Sequence, residues 1–194
     1  NLKLIQYIFK YTQMETNYLV LVRHGQSAWN QKNLFTGWKD PELTELGKEE
    51  AFKAGQHIKK QNIKFNLLFT SALKRAQDTA SIILEVIEES NINIFKNEAL
   101  NERDYGDLTG LNKDMARQEF GEEQVQIWRR SYSDGPPNGE SLEDTYNRVI
   151  PYFKKEIMPA LQKNKNVIIS AHGNSLRALV KFIEEISKEE IVKL

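Results

Sequence analysis

The sequence predicts an α/β domain of three layers, with helices on both faces of a mostly parallel central sheet. Three observations carry this. Four short apolar runs rich in β-formers recur along the chain, at 18–22, 65–71, 92–95 and 166–171. Segments with a helical period of apolar residues alternate with them, as in domains built from parallel strands. The composition is that of a globular protein with a real core: 194 residues, 40% hydrophobic and 28% charged. No repeat of 20–50 residues is visible. The turn "SDGPPNG" is too short to link domains, so residues 14–194 read as a single domain.

In order along the chain, residues 1–13 read as an extension before a domain that starts near Met14. The stretch "NLKLIQYIFKYTQME" is apolar but broken by Lys3 and Lys10. It has no small-residue cleavage pattern and no arginine, which argues against a secretory or transit signal. "YLVLV" (18–22) is a buried strand, and the polar, aperiodic "RHGQSAWNQKNLFTGWKD" after it is a long loop of the kind that carries function. A helix follows from an N-cap at Thr44, with Leu46, Ala51, Phe52, Ala54 and Ile58 as its apolar side. "FNLLFTS" (65–71) is the second strand. Ser71 then caps a helix whose apolar side is Ala76, Ala80, Ile83, Leu84 and Ile87. "INIF" (92–95) is the third strand, and "LNERDYGDLTG" is another loop. Helical pieces broken at Gly121 come next, then a helix opened by Ser141 and running to about Leu161. "NVIISA" (166–171) is the fourth strand. It leads into "HGNS" and a last helix, "LRALVKFIEE".

The composition also excludes functions. There is no cysteine, hence no disulfide framework and no thiolate chemistry. With 27 basic and 27 acidic residues the chain has no global field for nucleic acid. No apolar run approaches the ~20 residues of a membrane helix.

Two of the three histidines sit in the same context. His24 and His172 each follow an apolar strand, precede a glycine, and have a hydroxyl soon after, at Ser27 and Ser175. Ligands of open α/β sheets bind at the carboxyl ends of strands. If the two strands are neighbours, both imidazoles face one pocket. His57, mid-helix among lysines, reads as an ordinary surface residue. Arg23 beside His24 argues against a metal, because a fixed cation repels one. An anion fits instead. Arg75 lies in the first turn after the second strand, where free backbone N–H groups and the positive end of the helix dipole are also expected. Arginine holds phosphate through paired hydrogen bonds. Gly25 is read as letting the backbone come close at this site. Two arginines and two histidines describe a pocket for a tetrahedral anion, and one imidazole becomes a candidate nucleophile toward phosphorus. No P-loop is present.

"LVRHGQSAWN" resembles the signature of the histidine phosphatase superfamily. "RHGQSAWNQKNLFTGWKDPELTELG", "TSALKRAQDTA", "LNERDYGDLTGLNK", "WRR", "GESL" and "AHGNSLRALVK", collinear from Tyr18 onward, together resemble the cofactor-dependent phosphoglycerate mutases. The resemblance implies the phosphoglycerate mutase-like fold and a glycolytic and gluconeogenic isomerase of the cytoplasm. It would exchange 3-phosphoglycerate and 2-phosphoglycerate, be primed by 2,3-bisphosphoglycerate, and need no metal. His24 would be the phosphorylated nucleophile. Arg23, Arg75 and His172 would hold the transferred group, and Glu102 would be the general acid/base. Ser27, Asn30, Thr36, Gly37, Tyr105, Lys113, Arg129, Arg130, Gly173 and Asn174 would contact substrate. Tandem arginines on a helix are usually a solvated face; here Arg129 and Arg130 would meet the second anionic group.

The short "SYSDGPPNGESL" resembles compact bacterial forms and bears on the subunit contact, so a homo-oligomer (dimer) and a monomer both stay open. The family usually continues past Leu194 with a final strand and a mobile tail. Partners implied are small phosphoglycerates, with no nucleic acid and no membrane. One alternative is a phosphatase of the same superfamily acting on a small phosphorylated metabolite. It would be expected to lack the combination of "FTGW", "NERDYG", "LNK" and "WRR". The other is a phospholigand-binding protein, expected to have lost His24 or Glu102.

Overall fold

A computed structural model describes residues 8–11, 17–89 and 91–194. Five strands form one sheet: β1 (Ile8–Tyr11), β2 (Asn17–Arg23), β3 (Leu67–Thr70), β4 (Asn93–Lys96) and β5 (Val167–Ala171). The helices are α1 (Ala28–Gln31), α2 (Glu45–Lys60), α3 (Lys74–Val86), α4 (Lys113–Phe120), α5 (Glu122–Arg130), α6 (Leu142–Tyr152), α7 (Met158–Gln162), α8 (Gly173–Ile183) and α9 (Lys188–Ile191). The strand order is β1-β2-β5-β3-β4. The β2–β5, β5–β3 and β3–β4 pairs are parallel. The predicted α/β architecture with a mostly parallel sheet is therefore present.

The segment read as an extension contributes β1, which pairs antiparallel with β2, with Phe9 opposite Leu19. The rest of that segment and its junction at Met14 lie outside the described residues. None of the described helices is long and apolar enough to cross a membrane.

The layers follow from the period-2 alternation of buried strands. Leu19 and Leu21 of β2 pack with Phe69, Ile169, Val149, Phe153, Leu176 and Leu179, the core under α6 and α8. Val20 and Val22 point the other way, to Leu68, Ile168, Ala54, Ile58, Ile83 and Leu84, the core under α2 and α3.

Three helices differ in detail from the sequence reading. In α2 the cap at Thr44 is present, its hydroxyl accepting from Gly47 N at 3.1 Å. Ala51, Ala54 and Ile58 are buried, but Leu46 and Phe52 are 46% and 48% exposed. At about 100° per residue they lie well round the helix from the Ala51–Ile58 face. That face meets α3 so closely that a Cβ on Gly55 would lie 2.8 Å from Val86 Cβ, so small residues fill the seam. In α3, Leu73 is the N-cap and makes no side-chain cap bond; Ser71 is used elsewhere. The helix opened by Ser141 is α6, then a wider π turn over Phe153–Ile157, then α7. The wide turn immediately precedes the segment holding Pro159, whose missing N–H cannot continue the regular ladder.

The loop after β2 meets the first turn of α2 backbone to backbone. A Cβ on Gly25 would lie 2.1 Å from Gly47 O, and one on Gly47 would lie 2.1 Å from Gln26 O. Gln26 O also accepts Thr44 N at 2.9 Å. The close approach that Gly25 permits is thus to α2. Gly25→Ala and Gly47→Ala should each destabilise by about 2–3 kcal/mol, lowering the melting midpoint by roughly 5–10 °C in a thermal scan. An unchanged midpoint would show that the two backbones can separate freely.

Candidate active site

β2 and β5 pair directly, with Arg23 in register with Ala171. His24 N donates to Ala171 O at 3.0 Å. The residues that follow both strand ends are therefore level, and the rings of His24 and His172 lie 4.9 Å apart at an interplanar angle of 56°.

His24 is 7% exposed. Its Nδ1 lies 2.6 Å from Gly25 O. A carbonyl only accepts, so Nδ1 carries the proton and Nε2 keeps its lone pair. Burial pushes the imidazole well below its ordinary pKa of 6.5, and the charges of His172, Arg75 and Arg23 add to this against the opposing Gly25 bond. The ring is therefore neutral at neutral pH, with the Nε2 lone pair unprotonated. His172 is fully buried, and its pKa is also pushed well below 6.5, by burial and then Arg75 and Arg23. Its Nε2 lies 2.8 Å from Ser71 Oγ, and Ser71 Oγ accepts Leu73 N at 3.1 Å. Ser71 thus orients an imidazole.

Arg75 is 1% exposed. Nη1 donates to Lys39 O at 2.6 Å and Nη2 to Gly37 O at 2.9 Å. Its Nε is buried without a partner among the described residues. The sequence reading expected the helix end beside it to be free for an anion, and it is not. Lys74 N and Arg75 N both donate to the Asp40 carboxylate, at 2.6 and 3.4 Å. A loop acid more than thirty residues upstream supplies the cap that Leu73 cannot. The groups left for an anion are Arg75 Nε and the exposed Arg23.

Glu102 Oε1 accepts from Arg103 N at 2.8 Å, Asn174 N at 3.1 Å and Asn174 Nδ2 at 3.0 Å. Burial pushes its pKa up. The bonds from Arg103 and Asn174 and the charges of Arg75 and Arg23 outweigh that and hold it below the usual carboxylate value. A Cβ on Gly173 would lie 3.7 Å from Glu102 Oε2 and 3.9 Å from Arg23 Nε. Gly173 therefore keeps open the space between a carboxylate and a guanidinium, next to His172.

A second basic group lies beside the first. Burial lowers the pKa of Lys113, helped by Arg129 and Arg23 and opposed by Tyr105. Burial likewise lowers Arg129, with Arg117, Arg130 and Arg103 adding to it and Tyr105 opposing. These influences tie Lys113 to Arg23, Arg129 and Tyr105, and Arg129 to Arg130 and Tyr105. In the loop after β2, Ser27 and Asn30 serve each other: Asn30 N donates to Ser27 Oγ at 3.2 Å and Ser27 N to Asn30 Oδ1 at 3.0 Å. Thr36 Oγ1 is buried without a partner among the described residues. Gly37, at φ +54°, lies against Tyr105 N, which a Cβ would approach to 3.1 Å. His57 bonds Lys53 O at 2.9 Å on the exposed side of α2, outside the site.

Sequence reasoning missed three residues. Arg103 is 1% exposed, with Nη2 donating to Arg129 O at 3.1 Å and Tyr105 OH at 3.3 Å. Its Nε and Nη1 have no partner among the described residues. It stood inside the "NERDYG" stretch, next to Glu102, so the signal was present. Arg177 Nη1 donates to Asn174 Oδ1 at 3.1 Å, and its i, i+3 spacing on α8 could have revealed it. Asp40 had no local signal. Among the described residues no cluster of three or more His, Cys, Asp or Glu could hold a metal. Unpartnered buried donors around a neutral imidazole are what a phosphoryl group needs.

Residues 19–194 match the histidine phosphatase superfamily (branch 1). The chain belongs to that superfamily. It is 61% identical over 178 residues to a 2,3-bisphosphoglycerate-dependent phosphoglycerate mutase of Parvibaculum lavamentivorans, covering 92% of this chain and 85% of the relative. It is 62% identical over 174 residues to a protein of the same name from Bartonella bacilliformis, covering 90% and 84%. Among solved structures, a mycobacterial glucosyl-3-phosphoglycerate phosphatase superposes with a TM-score of 0.79 at 26% identity, over 91% of this chain and 84% of that one.

The superfamily site carries an acid sensitivity. Both histidines have folded pKa values below their ordinary 6.5. Below about pH 6.5 the unfolded chain therefore binds more protons than the folded one, and stability falls as pH falls. In a phosphate-free buffer the melting midpoint should drop between pH 7 and pH 5.5. A midpoint that holds constant there would mean that the two imidazoles charge freely in the folded protein.

Proposed function

We propose that the protein interconverts 3-phosphoglycerate and 2-phosphoglycerate through a phosphohistidine at His24. The observation that carries this is the pairing of two basic groups around a neutral imidazole and a carboxylate. Arg23 and Arg75 flank His24; Arg103, Lys113, Arg129 and Arg130 form the second group. A substrate with a phosphate and a carboxylate, or with two phosphates, needs both. The similarity to mutases at 61% and 62% identity supports the same reading.

In this reading His24 Nε2 attacks phosphorus in line. Arg23, Arg75 and His172 hold the equatorial oxygens where charge develops. As the P–O bond breaks, Glu102 gives its proton to the departing alkoxide oxygen. In the reverse step Glu102 takes the proton from the attacking hydroxyl while His24 releases phosphorus. Lys113, Arg129 and Arg130 bind the other anionic end, and Tyr105, Thr36, Gly37, Asn30, Ser27, Gly173 and Asn174 shape the pocket between. The orphaned donors of Arg75, Arg103 and Thr36 fit 2,3-bisphosphoglycerate, which supplies the first phosphoryl group when bound. Arginines carry the charge, so no metal enters the reading. A cytoplasmic location follows from the glycolytic role. The likeness to a phosphatase structure favours a second, slower outcome, hydrolysis of the phosphohistidine by water.

Labelled 2,3-bisphosphoglycerate should leave acid-labile, base-stable label on His24, and 3-phosphoglycerate should discharge it as 2-phosphoglycerate. His24→Ala should abolish both; label without mutase turnover but with free phosphate would make the protein a phosphatase. A chelator should leave the rate unchanged. Arg129→Ala should raise KM by about 10- to 100-fold, as for loss of a charge-assisted bond, while labelling at saturating donor persists. Equal loss of both would place Arg129 at the transferred phosphoryl group instead.

A further inference from the structure

Residues 102–105 belong to no helix or strand, yet the chain around Glu102 is gripped from behind. The grip comes from Arg148 on α6. Nη1 donates to Glu98 O at 3.1 Å, Ala99 O at 2.9 Å and Asn101 O at 3.3 Å. Nη2 donates to Glu102 O at 3.3 Å. The same guanidinium makes a two-pronged pair with Glu140, Nε to Oε1 at 2.9 Å and Nη2 to Oε2 at 2.7 Å. Glu140 in turn holds the far side of the loop. Its Oε2 accepts Asp104 N at 3.1 Å, and its own N donates to Asp104 O at 2.9 Å. Trp38 Nε1 donates to Glu102 O at 2.7 Å and its ring lies 5.4 Å from the Arg148 guanidinium.

We propose that Glu140 and Arg148 are positioning residues for Glu102: they fix where its carboxylate stands for proton transfer and take no part in holding phosphate. The proposal rests on the mutase reading. It accounts for "GESL", the motif to which no chemistry attached. Arg148 spends its donors on Glu140 and on backbone carbonyls, and none on a group that faces the pocket, so the use of the pair is geometric. The side chain of Glu102 is held separately, by Asn174 and Arg103 N. The Glu140–Arg148 pair therefore controls the backbone from which that side chain projects. Displacements of about 1 Å at such a group cost on the order of 10²-fold in rate.

The test compares two leaving groups on one protein. With phosphoglycerate chemistry the N–P bond forms, the P–O bond breaks, and the alkoxide needs the Glu102 proton. With 4-nitrophenyl phosphate the same bonds form and break, but the phenolate leaves as a stable anion without a proton. Arg148→Lys and Glu140→Gln are each made in the full chain. Mutase kcat and KM and the pre-steady-state burst of 4-nitrophenolate are read on the same preparation, so their ratio does not depend on the fraction folded. The expected result is a mutase kcat lower by about 10²-fold with KM and burst rate within roughly threefold of wild type. In a Glu102→Gln background, Arg148→Lys should slow the mutase reaction no further. Loss of both rates together, loss of neither, or multiplying effects in the double variant overturns the proposal. A wild type that takes no label at His24 fails the mutase reading itself, and the proposal with it; a labelled wild type with coupled losses fails the proposal alone.

Discussion

The site depends on one pairing, β2 alongside β5 in parallel register. It sets Arg23 opposite Ala171 and brings His24 N onto Ala171 O at 3.0 Å. Two imidazoles separated by nearly 150 residues then emerge at the same height, 4.9 Å apart. A slip of one residue would turn His172 to the other face of the sheet and bury a different set of side chains. The alternation that sorts Leu19 and Leu21 from Val20 and Val22 between two cores therefore also sets the site. At the strand end it separates Arg23, exposed, from His24, buried.

Gathering cations is the opposite of what folding favours, and the chain, neutral overall, does it locally. The means is visible in the partners. Arg75 gives its short bonds to the carbonyls of Gly37 and Lys39, with the Asp40 carboxylate only at 3.4 Å. Arg103 bonds Tyr105 OH and Arg129 O. Neutral oxygens satisfy hydrogen-bond donors without cancelling charge. The guanidiniums are held in place while their positive field stays available to an anion. Arg148 is the contrast: a carboxylate takes two of its donors in a two-pronged pair.

Strands β2 to β5, the helix caps at Thr44 and Ser141, and the two histidines at strand ends were legible because each is a local pattern in the chain; β1, inside the segment read as an extension, was not. What was not legible is long-range. Ser71 reads as a helix cap from its neighbours, but its hydroxyl belongs to His172, 101 residues away. Leu46 and Phe52 read as core because they are apolar, yet they lie round α2 from its Ala51–Ile58 face and are exposed. Asp40 caps a helix it does not adjoin. Glu102 has no local signal for proton transfer at all; resemblance pointed to it, and only the bonds from Asn174 and Arg103 give it a physical reason to sit there.

In the proposed reaction that position of Glu102 puts two demands on one carboxylate. As a base it must be ionised; as an acid it must hold a proton. Against burial, the bonds from Arg103 N and Asn174, with the charges of Arg75 and Arg23, hold its pKa down, which suits a base. In the proposed reaction a phosphoryl group on His24 or a bound phosphate would offset those same cations and weaken their downward pull on the pKa, while the bonds from Arg103 N and Asn174 stay. In that reading the proton affinity of Glu102 depends in part on where the phosphoryl charge sits, through a shared pair of arginines. Such a switch works only if the carboxylate keeps its place while the charge moves. A mount of backbone carbonyl bonds and the Glu140–Arg148 pair meets that need, because it grips the chain behind Glu102 rather than the carboxylate itself.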